Sequence, residues 1–534
     1  MKQDDYIAFR DTGYFSSLIC DYLDEKKELS SFYNRSAKLN NFKPQIEQKQ
    51  SSFSQEKRDV LVSVLKKQYE NIDASELTKK YIEDLKSKKT FTITTGHQLN
   101  LFTGPLYFLH KIVSAINLSK ELKANYPEQD FVPVYWMASE DHDFDEINYF
   151  NFKEKKVQWH NESKGAVGEF STEGLRAVLE LFSKDLDETI HAIKIKNLFE
   201  DTYLKHENLA DATRFLANEL FKDYGLVIID ANDAELKRLF IPYIETELLN
   251  QTAFNTVTKT NDRLSDVSKA YKIQVNPREV NLFYLDENLR ERIVFEDKTY
   301  KVLNTNIVWN KDEILEYLEK HPEQFSPNVI MRPLYQEVIL PNLCYIGGGG
   351  ELAYWMQLKD YFDAVKVPFP ILLLRNSVLI QTKKQLEKLN RLHIDKVDLF
   401  LKQETLINKK VRAISNIDID FSSQKKHLSQ QFEALYELAE QTDKSFLGAV
   451  KAQELKQLKG LSNLEKRLLK AQKKKMFNEV ERITSIKNAL FPNGSLQERN
   501  ANFSEFYLEY GDGLIPTLIE SLQPLKSEFL VLTI

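Results

Sequence analysis

Cysteine is almost missing from this chain: Cys20 and Cys344 are the only two in 534 residues. Two distant thiols make neither a disulfide framework nor a thiolate zinc cluster, and such sparse use suits a reducing compartment. No apolar run approaches the roughly 20 residues a membrane helix needs. The opening MKQDDYIAFRDTGYF lacks the basic-then-apolar layout of a secretion signal. A cytoplasmic protein with no membrane partner is therefore expected. Neither sign of charge dominates, with 73 Lys and Arg against 79 Asp and Glu, a net of −6. So mild a balance argues against a dedicated nucleic-acid binder. No Gly-Lys-Ser follows a glycine run and no spaced dinucleotide fingerprint is present. Long repeats and low-complexity tracts are absent too.

What is present is a long globular chain. At 42% apolar and 28% charged residues it fits the soluble class, and its length calls for two or three domains. Its organising stretch runs from Phe91 to Asn148. The alternating Phe91-Thr92-Ile93-Thr94-Thr95 reads as a strand that Gly96 ends. Pro105 is compatible with a helix start, and Leu106, Leu109, Ile112, Val113, Ile116 and Leu118 follow at near-helical spacing. Phe131 to Ala138 is a second strand, apolar on both faces as a buried parallel strand is. A βαβ unit of this kind brings both strand ends to one sheet edge. Thr95-Gly96-His97-Gln98 and Ser139-Glu140-Asp141-His142-Asp143 therefore meet where open α/β sheets bind ligands.

The fold class expected is α/β, a Rossmann-like parallel core with insertions and a C-terminal helical coiled coil. Residues 1–90 read as a helical layer, with amphipathic spacing in Tyr14–Leu23 and Gln55–Leu85 and a polar, irregular segment from Asn34 to Gln50. The core spans 91–376, with insertions at about 149–220 and 250–325. Gly225–Asp230 is a further strand, after which Asn232 or Asp233 caps a helix. Leu282–Leu285 and Arg292–Phe295 form a hairpin suited to cover the ligand edge. Arg332 and Arg375 fall near ends of predicted core strands. Between Ile371 and Phe491 there is no proline. There Leu428, Phe432, Leu435, Ala439, Thr442, Phe446 and Ala449 step by four and three as a heptad seam. Gly460 is read as a possible interruption before the rhythm resumes. Two helices folding back in a domain of residues 377–490 is the economical reading, and 491–534 then packs back on the core.

Three groups of residues carry chemistry. Glu140, Asp141, His142 and Asp143 put three carboxyls and an imidazole after a buried strand. Such a cluster holds Mg²⁺ or serves as general base for an amine nucleophile, and crowding is expected to raise at least one carboxyl pKa. The competing reading is an acidic helix start capped by Ser139. Zinc is disfavoured, because His97 is the only separated imidazole nearby. Thr95, Gly96, His97 and Gln98, with the helix opening at Gly104, offer backbone donors to an anion, or form an ordinary βα turn. The run Gly347–Gly350 before a helix lets a backbone approach a ligand, or is a flexible turn. Arg332 and Arg375 suit carboxylates, or structural ion pairs. The basic run from Lys466 to Lys475 reads as the solvated face of the coiled coil.

These residues also resemble a known family. Thr95-Gly96-His97-Gln98 with Leu101-Phe102-Thr103-Gly104-Pro105, then Pro133-Val134-Tyr135-Trp136 with Glu140-Asp141-His142-Asp143, look like the cysteine-adding enzymes of bacillithiol biosynthesis, BshC. Arg332-Pro333, Tyr345-Ile346-Gly347-Gly348 and Gly350-Glu351-Leu352-Ala353-Tyr354-Trp355 are similar to a second block of that family. Pro492, Gly494, Gln497-Glu498-Arg499 and Tyr510-Gly511 are similar to a third. His97 and Gly349 depart from the family pattern, in which glutamine and proline are usual. The resemblance implies a core related to nucleotidyl-transferase folds and a homodimer formed through the coiled coil. It implies a ligase that joins the cysteine carboxyl to the amine of glucosaminyl-malate. Because amide formation from a carboxylate is uphill in water, ATP is the expected activator and ATP or ADP the expected bound nucleotide, with Mg²⁺ as a possible companion. Asp141 or His142 would be the base, with Glu140 or Asp143 orienting it or binding Mg²⁺. Gly96, Gly347, Gly348 and Gly350, with Glu351, Tyr354 and Trp355, would face phosphate or malate, and Arg332 would clamp the malate. A nucleotide-dependent ligase with another amine acceptor, or a non-catalytic nucleotide-binding scaffold, is the alternative.

Overall fold

The core strands are short runs of β-branched, aromatic and aliphatic residues, which suit a pleated surface covered on both faces. The computed structural model describes residues 5–534. It divides into two units: the first runs to Leu379 and takes up Gln497–Leu532, and the second holds Ile380–Leu496 and Thr533–Ile534.

In the first unit the central sheet has five strands, β1 (Thr90–His97), β2 (Asp130–Met137), β3 (Val227–Asp230), β4 (Asn342–Gly347) and β5 (Ile371–Leu374). Their order is β5-β4-β1-β2-β3, and every neighbouring pair is parallel. His97 lies opposite Met137 in the β1–β2 register, so the turn after β1 and the Ser139–Asp143 segment leave from one edge. Between them runs the helix α1 (Tyr107–Asn125). It starts two residues past Pro105, because Phe102 and Gly104, both at positive φ, shape a tight turn first.

Two expectations are corrected here. Asn34–Gln50 is not irregular throughout, since Phe42–Ser52 is a helix that buries Phe42, Gln45, Ile46 and Lys49. Its inward face is half polar, which hid the period. Arg332 does not end a strand. It opens the helix α2 (Arg332–Ile339), with Pro333 in the first turn where no donor is needed. Arg375 does follow a core strand, β5. Asp233 caps the helix Ala234–Arg238, accepting from the Glu235 and Leu236 amides. The expected hairpin is part of a larger antiparallel sheet of five strands, in which Phe283 lies opposite Arg292. The C-terminal strand Glu528–Thr533 pairs antiparallel with Asp5–Ala8.

In the second unit α4 (Ser422–Glu440) and α5 (Lys444–Lys475) fold back on each other. Tyr436 donates to Glu454, and Lys425 pairs with Glu465, so partners lie farther from the turn on both arms together, as in an antiparallel pair. Phe432, Ala439 and Val450 form the seam, with Leu428 and Tyr436 against them. Leu435 and Phe446 lie off it, 40% and 42% exposed. Thr442 sits in the turn, which rephases the rhythm. Gly460 interrupts nothing, since α5 passes straight through it. Most of the basic run, including Lys466, Arg467, Lys470, Lys474 and Lys475, is exposed to solvent. Among the described residues no helix is long and apolar enough to cross a membrane.

Candidate active site at the carboxyl edge of the sheet

A cavity of about 690 Å³ opens where β1, β2 and β4 end, entirely within the first unit. Its floor comes from the core and its opposite wall from the antiparallel sheet, through Leu282, Phe283, Arg290 and Arg292. Cations dominate the lining. Lys111, Arg332 and Arg375 come from the floor, Arg278, Arg290 and Arg292 from the wall side, and Arg499 from the C-terminal segment. Against these seven stand the carboxylates of Glu140, Asp141 and Glu351.

The floor is a hydrogen-bonded network. The α1 spacing aims Lys111, buried in an otherwise apolar stretch, at the end of β1. Its Nζ lies 2.7 Å from the Gly96 carbonyl oxygen and 2.7 Å from Glu351 Oε2. Glu351 opens the helix α3 (Gly349–Gln357) and accepts from the Gly348 amide and the Tyr345 hydroxyl, each at 2.7 Å. Burial alone would raise the Glu351 carboxyl, but Lys111 and these donors hold it below its ordinary value. Burial pushes Lys111 down, and Glu351 works against that. The Arg332 guanidinium lies 5.7 Å from each of the Trp136 and Tyr345 rings and donates to Gln336 and Tyr354.

The acidic cluster does not converge. Glu140 is turned to Lys237, at 2.5 Å. Asp141 accepts from Gln98 Nε2 at 2.9 Å and from the His142 amide at 2.7 Å. His142 Nδ1 lies 2.5 Å from Arg290 Nη1 and 3.5 Å from Asp141 Oδ1. Asp143 is exposed at the start of the short helix Phe144–Ile147, outside the cavity. The expected rise of a crowded carboxyl is not found at Asp141. Burial would raise it, but the His142 ring, the Gln98 amide, the His142 backbone N–H and the Arg290 charge outweigh burial and hold it well below the usual range. Among the described residues no three His, Cys, Asp or Glu side chains gather as a metal-ligand set.

The structure thus brings Gly96, His97, Gln98, Glu140, Asp141 and His142 together with Arg332, Gly348, Gly350, Glu351 and Tyr354. His97 is 7% exposed, and burial pushes its imidazole down to about 3, with Lys111 adding to the effect, so the ring is neutral at physiological pH. Four expected residues serve the frame instead. Thr95 donates to the Ile346 carbonyl and ties β1 to β4. Trp355 is fully buried, stacked on Tyr345 at 4.5 Å. At Gly347 a Cβ would meet Leu352 and Tyr345 at 2.9 Å. Gly104, at φ +61°, shapes the turn before α1, and a Cβ there would meet Asn100 at 2.6 Å. Gly104→Ala is therefore expected to cost about 1–3 kcal/mol of stability and to leave substrate KM unchanged; a urea titration and an activity assay check both. The glycine run itself is less open than expected, because Glu351 already occupies the Gly348 amide.

Sequence reasoning missed Lys111, Lys237, Arg278, Arg290 and Arg292. Lys111 had a signal, a single charge inside the apolar face of α1. The arginines had none, because they reach the cavity from an insertion 140 or more residues from Asp141 or, for Arg278, just short of that.

A Rossmann-like sheet with a cation-lined cavity at its carboxyl edge and a polar cluster on the βα turns defines an enzyme of the Rossmann-like α/β class. Residues 2–376 match the family model described as Bacillithiol biosynthesis BshC, N-terminal Rossmann-like domain, and residues 378–534 match the C-terminal coiled-coil domain of the same family. The chain belongs to the BshC family, whose members are named as ligases. It is 60% identical over 530 residues to a protein of Flavobacterium johnsoniae, covering 99% of each chain. It is 38% identical to one from Cytophaga hutchinsonii, covering 97% of this chain and 96% of the relative. To one from Bacillus cereus it is 28% identical, covering 94% and 95%. All three carry the name "Putative cysteine ligase BshC".

Proposed function

We propose that this chain joins the carboxyl carbon of cysteine to the amine of glucosaminyl-malate in the cytoplasm, with ATP as co-substrate, and that it works as a homodimer through its coiled coil. The observation that carries this reading is the excess of cations in the cavity, seven against three carboxylates. An acceptor bearing two malate carboxylates offsets part of that excess, and guanidinium groups pair with carboxylates bidentately. Phosphates of ATP fit the same donor chemistry. ATP, when bound, supplies the phosphoanhydride whose cleavage turns a carboxyl oxygen of cysteine into a leaving group. The carboxylates of Glu140 and Asp141 point to different partners and Asp143 lies outside the cavity, so a Mg²⁺ site is not assigned to them.

The chain's own residues then divide the work. Arg332, held between two aromatic rings, takes a malate carboxylate. Asp141 is held so far down that it is a poor proton acceptor and a good anchor for the incoming amine. His142 stands beside it and takes the proton that the amine loses as the C–N bond forms.

The test is ligation by the purified protein, with glucosaminyl-malate, cysteine, ATP and Mg²⁺ mixed and each omitted in turn. The expected result is a thiol product, seen by mass spectrometry, that needs all three organic substrates. Product without ATP would overturn the activation step. Product with other amines at equal rate, and indifference to glucosaminyl-malate, would overturn the acceptor.

A further inference from the structure

We infer that Glu498 is a positioning residue: from the C-terminal segment it fixes the Arg375 guanidinium at the cavity lining, where the anionic acceptor binds. The inference rests on the acceptor reading above.

Arg375 follows β5 and is 3% exposed. Its Nη1 donates to the Asn376 carbonyl at 3.0 Å and the Ser377 hydroxyl at 3.1 Å. Its Nη2 donates to Glu498 Oε1 at 2.8 Å. Its Nε is buried and has no partner in the protein. A Cβ built on Gly348 would lie 4.0 Å from that nitrogen, and Arg375 and Gly348 both line the cavity. An unpaired buried N–H is unfavourable, and this one belongs to a residue of the cavity lining.

Glu498 has no freedom left. Its other oxygen lies 3.2 Å from His110 Nδ1 and accepts from the Val378 amide at 2.9 Å. The Glu498 and Arg375 side chains are 1% and 4% exposed. Burial would raise the Glu498 carboxyl, but Arg375 and His110 outweigh it and hold it well below the usual range. A permanent carboxylate with three partners is a rigid anchor. Glu498 itself does not line the cavity, whereas its neighbour Arg499 does. Its direct link to the cavity lining is the ion pair with Arg375. One short segment, far along the chain from β5, sets one cationic group of the site and contributes another.

The experiment measures the Kd of glucosaminyl-malate by calorimetry, and KM and kcat in ligation, for the wild type, Glu498→Gln, Arg375→Gln and the double variant. Glu498→Gln is expected to raise Kd and acceptor KM about tenfold, with kcat and the cysteine KM within about threefold. Arg375→Gln is expected to do at least as much. The double variant is expected to be no worse than Arg375→Gln alone, because residues that act as a unit are not additive. If Glu498→Gln does not fold, as judged by its thermal transition, Glu498→Asp keeps the charge one methylene short and is expected to give a smaller loss in Kd. An unchanged Kd in the folded Glu498 variant, beside a loss in Arg375→Gln, would overturn the inference and spare the acceptor reading. Fully additive losses would overturn it as well. A folded wild type that does not bind glucosaminyl-malate would overturn both.

Discussion

His142→Asn is expected to lower kcat for ligation by about 10²–10⁴-fold, the usual contribution of a positioned general base. The acceptor KM should move far less. The reason is the division of labour proposed for the end of β2. Asp141 is held well below its ordinary value by its surroundings, so it keeps a negative charge and gives little as a base. His142 is beside it, half exposed, with its ring 5.5 Å from Phe283 on the facing wall. Asp141→Asn removes the anchor for the amine and is expected to raise acceptor KM as well as lower kcat. Because the His142 side chain is 52% exposed, its loss should leave stability within about 0.5 kcal/mol, so a fall in rate is not unfolding in disguise. If steady-state rates of both variants stay within about threefold of wild type, the cluster is not the proton acceptor.

Lys49→Met is expected to destabilise the first unit by about 3–5 kcal/mol, the largest stability effect foreseen here. Lys49 and Glu337 form an ion pair at 2.9 Å with side chains 1% and 0% exposed. Glu337 also accepts from Gln336 at 3.1 Å and from Asn342 at 2.6 Å, and Asn342 accepts from Thr94. The pair thus joins the helix Phe42–Ser52 to α2 and to the facing ends of β4 and β1. Methionine keeps the length of the lysine and leaves a carboxylate buried without its cation. Burial already raises the Glu337 carboxyl, and Lys49 opposes that. A folded-state pKa above the unfolded one means that the stability contributed is full below the unfolded value and is lost as pH rises through the folded one. The deficit of Lys49→Met is therefore largest at neutral pH and shrinks as the solution is acidified towards the ordinary carboxylate range. Urea titrations at two pH values check both sign and size. Lys49→Met with Glu337→Leu should recover much of the loss, because replacing both charges removes the unpaired group. No recovery would mean that the network, rather than the charge, is what the unit needs.

Local signals explain why some of this could be read from the chain directly. The β1 and β2 runs are apolar and β-branched, and a βαβ crossover has one favoured hand, so the meeting of the Thr95–Gln98 turn with the Ser139–Asp143 segment at one sheet edge followed from spacing alone. Asp233 sits where a helix cap belongs and caps. The seam of the coiled coil was legible at Leu428, Phe432 and Ala439 but not at Leu435, and it was misread beyond Ala439, because a turn of three residues shifts the phase and leaves no mark in the rhythm. Gly104 and Gly347 looked like ligand glycines, because a tight turn and a phosphate loop ask the same backbone freedom of a sequence.

By itself the sequence determined the class of the fold and the family, through strand runs and motif blocks each of which is legible in a short stretch of chain. Only the tertiary structure decided which of the clustered acids face the cavity. It also decided that Trp355 and Thr95 belong to the frame, and that Arg290 from an insertion and Arg375, held by Glu498, complete a cationic site. Side-chain direction and burial depend on contacts between residues a hundred or more positions apart, and no local period or propensity carries that information.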